Sequence, residues 1–515
     1  MASTGILVVS NVKILGKSLR SIEKYVNSLY IHLNIPDSLS QPVPAWGRLI
    51  SQLYIDSQSY FNSNNVDMKI LVGPLKNSNH LQTPKQIDMI FSDAHFPDIC
   101  NNLRKNLNIS SDSIYLEEGT INNISEYRCE TDANKTYDTV VLGGTFDRIH
   151  IGHKIFLTQA VLRACRRLVV GVTTSKMTKS KVLPELILPV EQRIQEVKEF
   201  LIEIDSTLQY DIVPIDDPYG PTQTDPNMDM IMVSAETLRG GQKVNEIRLK
   251  NGLKPVEIYS IDVVESSVED GPKEHKISSS NTRIDLLGTR IRAPQNFQHS
   301  SALPAEPYII GLTGGIASGK SKMAEQLQKF GAVILDCDKI AHEIYEPGKD
   351  CYKRIIEYFG SDIVDSDAVI NRSKLGAIVF SDPIKLEALN NIVWPELLLE
   401  VKRRISDLCE RHQCQVVVVE AAILLKAGWE SDCHEVWSMI IPPEEAVKRI
   451  MQRNQLSQAE ALKRIANQID NSEVVSRSNI VFSSQWDESF TCKQAEKAWN
   501  LLMNDINKIN KPSML

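Results

Sequence analysis

Two short stretches of this chain combine residue types that handle nucleotide phosphates. In the first, residues 143–147 (GGTFD) precede residues 150–153 (HIGH), so that His150 and His153 stand where a strand should give way to a helix. Glycines let backbone N–H groups approach a phosphate, and a helix N-terminus favours negative charge. The pattern predicts a site at which the α-phosphorus of ATP is attacked while positioned donors stabilise the developing charge.

The second stretch, residues 314–321 (GGIASGKS), has the spacing of a P-loop. We expect its backbone N–H groups to bind phosphates, Lys320 to neutralise the β- and γ-oxygens, and the Ser321 hydroxyl to join the shell of a Mg²⁺ ion. The predicted phosphate-binding residues are Gly314, Gly315, Ile316, Ala317, Ser318, Gly319, Lys320 and Ser321. A P-loop is typical of γ-phosphoryl transfer, so the chain is predicted to carry two different nucleotide reactions.

Alternating strands and helices must position these residues. Short apolar strands alternate with helical segments from residue 138 to 261 and again from 308 to 482, which predicts two tandem doubly wound parallel-sheet α/β domains. The predicted organisation is an amino-terminal α/β region of unclear fold (1–135), a histidine-motif domain (136–289), a proline-rich polar linker (290–306) and a P-loop domain (307–515).

Composition excludes several classes of protein. The formal net charge of −8 argues against a general nucleic-acid binder, and nine cysteines without a C-x-x-C pair predict reduced thiols and no structural zinc. No apolar run is long enough for a transmembrane segment. We expect a cytoplasmic enzyme. The basic start of the chain leaves open a peripheral association with mitochondria through the amino-terminal region, although the apolar run at residues 6–9 is more simply a first strand.

The first stretch resembles the nucleotidyltransferase superfamily. Residues 150–153 match its T/H-x-G-H motif, and residues 277–283 (ISSSNTR) are similar to its second signature. Residues 137–288 resemble, more narrowly, the eukaryotic type of phosphopantetheine adenylyltransferase. This resemblance implies that Thr145, His150 and His153 bind the ATP phosphates beside Gly143 and Gly144, and that Ser278, Ser279, Ser280 and Arg283 close over the triphosphate.

The same resemblance implies two further contacts. A cation after the second strand should bind the phosphate of phosphopantetheine, and Lys176, Lys179 and Lys181 are equal candidates for it. Arg239 is similar to an arginine that the family places beside the nucleotide.

An alternative interpretation pairs the histidine motif with residues 176–180 (KMTKS), which together look like the two signatures of a class I aminoacyl-tRNA synthetase. In those enzymes the lysine signature follows an inserted domain far downstream. Here one helix and one strand separate the two stretches, so we favour the adenylyltransferase interpretation.

Residues 307–509 resemble dephospho-CoA kinases. The similarity includes residues 312–316 (LTGGI), 336–338 (DCD, similar to the family's D-A-D), 380–383 (FSDP) and 389–390 (LN). It implies that Asp338 is the base that accepts the proton of the acceptor hydroxyl, and that Arg453 belongs to a lid that closes on ATP. Three positions depart from the family pattern, namely Trp394, Glu420 and Asn454.

In this order, the two resemblances are those of the bifunctional coenzyme A synthases of animals. They imply that ATP and 4′-phosphopantetheine give dephospho-CoA and diphosphate, and that a second ATP then phosphorylates the ribose 3′-hydroxyl to give CoA and ADP, both steps with Mg²⁺. Two alternatives stay open. The chain could use another phosphorylated acceptor and be fused to a general nucleoside kinase, or its amino-terminal third could be a docking module beside partly vestigial catalytic domains.

Overall fold

The computed structural model describes residues 3–35, 43–60, 66–76, 83, 85–116, 135–262, 271–294, 307–411 and 414–509. The chain divides into two compact units, Met1–Thr282 and Arg283–Leu515. Among the described residues, no helix combines the length and the apolar character that a membrane span requires.

The first unit begins with a five-stranded parallel sheet whose strand order is β3-β2-β1-β4-β5. Its elements are β1 (Thr4–Val9), α1 (Leu15–Ile22), β2 (Ser28–Leu33), α2 (Val43–Tyr60), β3 (Asp67–Ile70), β4 (Met89–Ser92), α3 (Pro97–Asn106) and β5 (Ser113–Tyr115). Strand β1 is buried along its whole length, as expected of a central strand covered on both faces. The region of unclear fold is therefore a third parallel α/β sheet.

The second sheet of this unit carries the histidine motif and has the order β10-β9-β6-β7-β8. Its elements are β6 (Tyr137–Gly144), α4 (Ile151–Arg163), β7 (Ala164–Thr173), α5 (Ser175–Thr178), α6 (Val190–Ile204), β8 (Gln209–Ile215), β9 (Met230–Ser234), α7 (Leu238–Lys250), β10 (Glu257–Ile261) and α8 (Ser279–Leu286). The five strands are parallel, which confirms the predicted doubly wound fold. The central strand β6 ends at the paired glycines, and a short loop leads from there to His150 at the start of α4.

One apolar core joins the two sheets of the first unit. Helix α2 packs against helix α4, and the shared core includes Trp46 and Leu49 of α2 with Leu157 and Val161 of α4. Burial of one leucine side chain stabilises the folded state by about 2 kcal/mol. The helix that starts at the histidine motif therefore packs on both sheets.

The second unit contains a five-stranded parallel sheet of order β12-β13-β11-β14-β15. Its elements are β11 (Tyr308–Gly314), α9 (Lys320–Lys329), β12 (Val333–Asp336), α10 (Cys337–Ile344), α11 (Asp350–Phe359), α12 (Arg372–Ser381), α13 (Pro383–Glu410), β13 (Val416–Glu420), β14 (Glu435–Ile440), α14 (Pro443–Asn454), α15 (Gln458–Ala466), α16 (Asn471–Ser476), β15 (Ile480–Ser483) and α17 (Glu488–Ile509). The central strand β11 leads directly into the P-loop. The second predicted α/β domain is thus confirmed.

The first residues of the predicted linker pack on this second unit. Arg290 donates hydrogen bonds to Glu435 (2.5 Å) and to Asp505 (2.7 Å), and the Ile291 amide donates to the carbonyl of Asn479 (2.8 Å). The rest of the predicted linker, residues 295–306, lies outside the described residues, and the other predicted domain borders stay predictions.

Candidate active sites

The two histidines of the first motif lie together at the start of α4. His150 is the N-cap residue, with an extended backbone (φ −106°, ψ 174°), and His153 lies in the first helical turn. Their rings stack with 3.8 Å between centroids and 22° between planes. The Phe146 ring packs against the pair, with its centroid 5.2 Å from that of the His153 ring. The turn thus presents two imidazoles at a helix N-terminus, where anions bind favourably.

Gly152, between the histidines, leaves room for this stacking. A Cβ atom at this position would lie 3.1 Å from Cε1 and 3.2 Å from Nδ1 of His150. That is closer than carbon atoms normally approach, so any larger residue would displace the His150 ring. The glycine of the motif therefore has a direct steric role in the site.

Burial controls the charge of both rings. It lowers the pKa of His150 to about 4 against the opposing effect of Asp147, and it lowers the pKa of His153 well below its ordinary value, helped by the neighbouring His150. Both rings are therefore neutral at pH 7 and can each donate one N–H hydrogen bond. Within the described part of the chain, the buried Nδ1 atom of His150 has no hydrogen-bond partner.

The second signature lies beside the first. The Ser279 hydroxyl is 3.4 Å from Nε2 of His150, which brings the two predicted halves of the site into contact. Asn281 organises this loop, because its side chain accepts from the Glu274 amide and donates to the Lys276 carbonyl, both at 2.8 Å. Its own amide donates to the Ser278 hydroxyl (3.2 Å). The sequence analysis did not identify this role of Asn281.

Other predicted ligands of the first site differ in their surroundings. Lys176 forms an exposed ion pair with Asp216. Lys179 and Lys181 are exposed as well, so the choice among the three lysines stays open. Arg239 is exposed in the first turn of α7. Arg283 is only 1% exposed, and its contact with a triphosphate stays a prediction.

Arg193 is a site-supporting residue that the sequence analysis missed. Its guanidinium is buried and donates to the carbonyls of Thr145 (2.6 Å), Thr173 (2.8 Å) and Leu188 (2.8 Å). It therefore fixes the backbone at the carboxyl ends of β6 and β7. A signal was available, because Arg193 stands four residues before the buried Val197 on the otherwise apolar face of α6.

The second site is the P-loop between β11 and α9. Gly319 adopts φ +89°, a conformation that glycine tolerates, and it directly precedes α9. The loop lines a cleft of about 1170 Å³ together with Asp338 and Arg453. The structure therefore brings the predicted phosphate-binding, base and lid residues to one cavity.

Glu420 contacts the last two residues of the P-loop motif. Its Oε1 atom accepts hydrogen bonds from Lys320 Nζ (2.6 Å) and from the Ser321 hydroxyl (2.7 Å), and the residue is 5% exposed. Mg²⁺ is usually held by one or two protein oxygens together with substrate phosphates. Ser321 and Glu420 supply such oxygens at one point, so these residues fit the ion. The described residues include no group of three or more acidic, histidine or cysteine side chains that would hold a metal without the nucleotide.

The two carboxylates after β12 have different environments. Asp336 is the N-cap of α10 and accepts from the amides of Asp338 (3.0 Å) and Lys339 (3.2 Å). Asp338 faces the cleft instead. This difference supports Asp338, rather than Asp336, as the predicted base.

Two residues hold the P-loop in place. Arg449 donates to the carbonyl of Ala317 (3.2 Å) and to the hydroxyl of Ser484 (2.8 Å). Gln468 accepts from the Ile316 amide (3.0 Å), one of the donors expected to bind phosphate. Gln468 was not identified from the sequence, because its partner lies 152 residues away.

The fold and the two sites define a P-loop kinase joined to an amino-terminal nucleotidyltransferase-like domain. Family models agree: residues 308–487 match the model described as dephospho-CoA kinase, and residues 141–284 match the model described as cytidylyltransferase-like. The chain is 39% identical over 201 residues to the dephospho-CoA kinase of Lactobacillus johnsonii, covering 39% of this chain and 99% of that protein. It therefore belongs to the dephospho-CoA kinase family.

Other relatives cover the same region. The dephospho-CoA kinase of Carboxydothermus hydrogenoformans is 42% identical over 176 residues, which are 34% of this chain and 85% of that protein. A solved dephospho-CoA kinase from Campylobacter jejuni is 25% identical and covers 39% of this chain and 98% of that chain, with a TM-score of 0.31. A cytidylyltransferase-like domain followed by a dephospho-CoA kinase domain fits the bifunctional coenzyme A synthase that the sequence predicted.

Proposed function

We propose that this chain performs the last two steps of coenzyme A biosynthesis. The observation that carries the proposal is the stacked, neutral pair His150 and His153 in a cytidylyltransferase-like domain that shares its chain with a dephospho-CoA kinase domain. Adenylyl transfer to 4′-phosphopantetheine produces dephospho-CoA, which is the substrate that the kinase family acts on. The order of the two domains along the chain is then the same as the order of the two reactions.

In the first step, a phosphate oxygen of 4′-phosphopantetheine attacks the α-phosphorus of ATP, and diphosphate leaves. The attacking oxygen is already ionised, so no general base is needed. Neutral imidazole N–H groups of His150 and His153 donate to phosphate oxygens on which charge grows. Lys176, Lys179 and Lys181 stay equal candidates for the cation that attracts the acceptor phosphate.

In the second step, the 3′-hydroxyl of dephospho-CoA attacks the γ-phosphorus of a second ATP, and ADP leaves. Asp338 accepts the hydroxyl proton, and Lys320 neutralises the β- and γ-oxygens. A bound Mg²⁺ ion, held by Ser321 and Glu420 with the phosphates, would offset the charge of the triphosphate. Arg453, which lines the same cleft, is the proposed lid contact to ATP.

We further propose a cytoplasmic location, with a structural role for the start of the chain. Residues 4–33 form β1, α1 and β2, and β1 is the middle strand of its sheet. Such a segment supports a fold more readily than a removable targeting signal. Cell fractionation of the intact chain tests this, and its recovery with mitochondria would contradict the proposed location.

Product analysis by mass spectrometry tests the two steps. The purified chain is incubated with Mg²⁺, ATP and 4′-phosphopantetheine, beside His153→Ala and Lys320→Ala variants. We expect CoA from the intact chain, neither product from His153→Ala, and accumulation of dephospho-CoA with Lys320→Ala. Dephospho-CoA supplied directly should be phosphorylated by His153→Ala, which shows that this variant keeps a folded kinase domain.

The alternative acceptor is tested in the same assay. If the folded chain converts dephospho-CoA to CoA but forms no adenylylated product from 4′-phosphopantetheine, the acceptor assignment is wrong. Competing phosphorylated acceptors, offered with ATP or CTP, would then identify the substrate of the first domain.

A further inference from the structure

The two sheets of the first unit have the same topology. In each sheet the first strand is central, the second and third strands follow on one side, and the fourth and fifth follow on the other. The amino-terminal sheet is thus a second copy of the nucleotidyltransferase-like arrangement within one chain. Its sequence carries neither the paired glycines nor the histidine motif, so its role must differ from that of the histidine domain.

In the amino-terminal sheet, the position equivalent to the active site is filled by protein groups. After β1, the amides of Ser10 and Asn11 donate to the carboxylate of Asp93 at 2.8 and 2.9 Å, and the Ser10 hydroxyl donates to it at 2.9 Å. Asp93 is 1% exposed. A protein carboxylate therefore takes the backbone donors that the other sheet leaves for phosphate, so the amino-terminal sheet is not a second nucleotide site of this kind.

The amino-terminal sheet instead holds α4 near its catalytic end. Lys154, the residue after His153, extends its ammonium group into β3 and donates to the Asp67 carboxylate (2.7 Å) and to the Met68 carbonyl (2.9 Å). Lys154 is only 9% exposed. A lysine buried to this extent is held by its partners, since an unpaired buried charge is costly.

The same sheet holds α4 at its middle and at its other end. In the middle, Gln159 donates to the Gly47 carbonyl (2.6 Å) of α2. At the carboxyl end, Lys76 donates to the carbonyls of Val161 (3.0 Å) and Ala164 (2.8 Å), which the last helical turn leaves without intrahelical partners. Helix α4 is therefore fixed along its whole length by residues outside its own sheet.

Charge balance explains how Lys154 can be buried. Lys69 donates to Asp67 (2.8 Å) and pairs with Glu203 of α6, so the two buried cations face two carboxylates, and the exposed Lys85 lies 3.9 Å from Asp67 as well. Lys69 and Glu203 are 6% and 4% exposed. This four-residue network, formed by Asp67, Lys69, Lys154 and Glu203, connects β3 of the amino-terminal sheet to both helices of the histidine domain that pack against it.

We propose that the amino-terminal sheet, formed by β1 to β5, positions α4 for adenylyl transfer, with Lys154 and Asp67 as the main positioning residues. The inference rests on the function proposed above for the histidine domain. His150 and His153 occupy the first turn of α4, so a small shift of the helix moves both donors away from the α-phosphorus. A misplacement of about 1 Å can lower the rate roughly a hundredfold.

Steady-state kinetics of the full chain tests the proposal. Lys154→Met and Asp67→Asn should each lower kcat for adenylyl transfer roughly tenfold or more, with little change in the KM for ATP. The double variant should be slowed by less than the product of the two single effects, because both changes remove the Lys154–Asp67 contact. Lys154→Arg, which keeps the charge and its donors, should recover most of the rate. Phosphorylation of supplied dephospho-CoA should stay unchanged in all four.

Asp93→Asn is the matched control. It also alters a buried carboxylate of the amino-terminal sheet, but its hydrogen bonds come from Ser10 and Asn11 rather than from α4. Equal losses of kcat in Asp93→Asn and Asp67→Asn would overturn the proposal, because the effect would then be general loosening of the sheet. Unchanged kcat in Lys154→Met would overturn it as well.

Hydrogen exchange gives a second measurement. The amides of α4 should exchange faster in Lys154→Met and in Lys76→Met, whose lysine is partly exposed and so less costly to replace. Unchanged exchange in both variants would contradict the proposal. If the intact chain makes no dephospho-CoA, the proposed function is wrong. Hydrogen exchange alone then decides whether the amino-terminal sheet holds α4.

Discussion

One carboxylate oxygen of Glu420 accepts hydrogen bonds from both Lys320 and Ser321. Before ATP binds, this oxygen keeps the lysine and the hydroxyl in place inside a nearly buried site. With ATP bound, Lys320 would exchange this partner for phosphate oxygens, and the Glu420 carboxylate would be free to help hold a metal ion. Glu420 is therefore expected to act on turnover rather than on the fold.

Glu420→Gln keeps the shape of the side chain and removes its charge. We expect the kinase kcat to fall by about 10- to 100-fold, the result of losing roughly 2 kcal/mol of transition-state stabilisation. Adenylyl transfer by the same chain should be unaffected. Glu430→Gln, which alters a carboxylate paired with Arg477, is the control and should keep the kinase rate. A normal rate in Glu420→Gln would show that this carboxylate does not serve the reaction.

Stability at acid pH depends on His150. Its pKa is about 4 in the folded chain, below the ordinary 6.5, so protonation favours the unfolded chain. The stabilisation is fully present above pH 6.5 and is lost as the pH falls from 6.5 towards 4. Between pH 7 and pH 5 the loss is about 2 kcal/mol. In urea unfolding of the first unit, His150→Gln should lose about 2 kcal/mol less than the unaltered chain over this interval. Equal losses would mean that His150 is not buried in its neutral form.

At the scale of elements, helix α4 combines a catalytic end with contacts along its length. The motif at its start could be found from the sequence, because glycines and histidines at fixed spacing mark a phosphate site within a few residues. Its supports could not be found in this way, because the Gly47 carbonyl that Gln159 binds lies 112 residues away and Asp67 lies 87 residues from Lys154. The strands were predictable from their apolar runs. The amino-terminal sheet was not predictable, because no motif accompanies its strands.

Gly152→Ala tests the start of this helix. The added Cβ would press on the His150 ring, which must move by a few tenths of an ångström. We expect adenylyl transfer to slow roughly tenfold, while the free energy of unfolding changes little. Gly240→Ala in α7 is the matched control, because nothing lies within 4 Å of its added Cβ. It should stabilise the chain by up to about 1 kcal/mol. An unaltered rate in Gly152→Ala would contradict the steric argument.

At the scale of the whole molecule, the border of the second unit lies earlier than its first strand. Arg290, inside the predicted linker, is the cationic partner of Glu435, whose side chain is fully buried and also accepts from Tyr308 (2.8 Å). The sequence suggested a linker here, because prolines and polar residues dominate residues 290–306 as a whole. A single arginine that pairs with a residue 145 positions away leaves no local pattern.

Arg290→Met should leave the buried carboxylate of Glu435 without its cation. We expect the second unit to lose about 3 kcal/mol of stability. Tryptophan fluorescence measures this unit in denaturant, because five of the six tryptophans lie in it. Arg292→Met, which replaces a neighbouring exposed arginine, should change stability by less than about 0.5 kcal/mol. Equal effects of the two changes would show that the Arg290 pair does not anchor the border.

The paired sheets of the first unit also matter for how the enzyme responds to dilution. Two copies of one topology that pack through helices could have been separate molecules, and such a pair would dissociate as its concentration fell. Because one chain carries both copies, each catalytic sheet meets its supporting sheet at a fixed effective concentration. The proposed adenylyl-transfer site therefore needs no second molecule to supply its supporting sheet, however dilute the protein is.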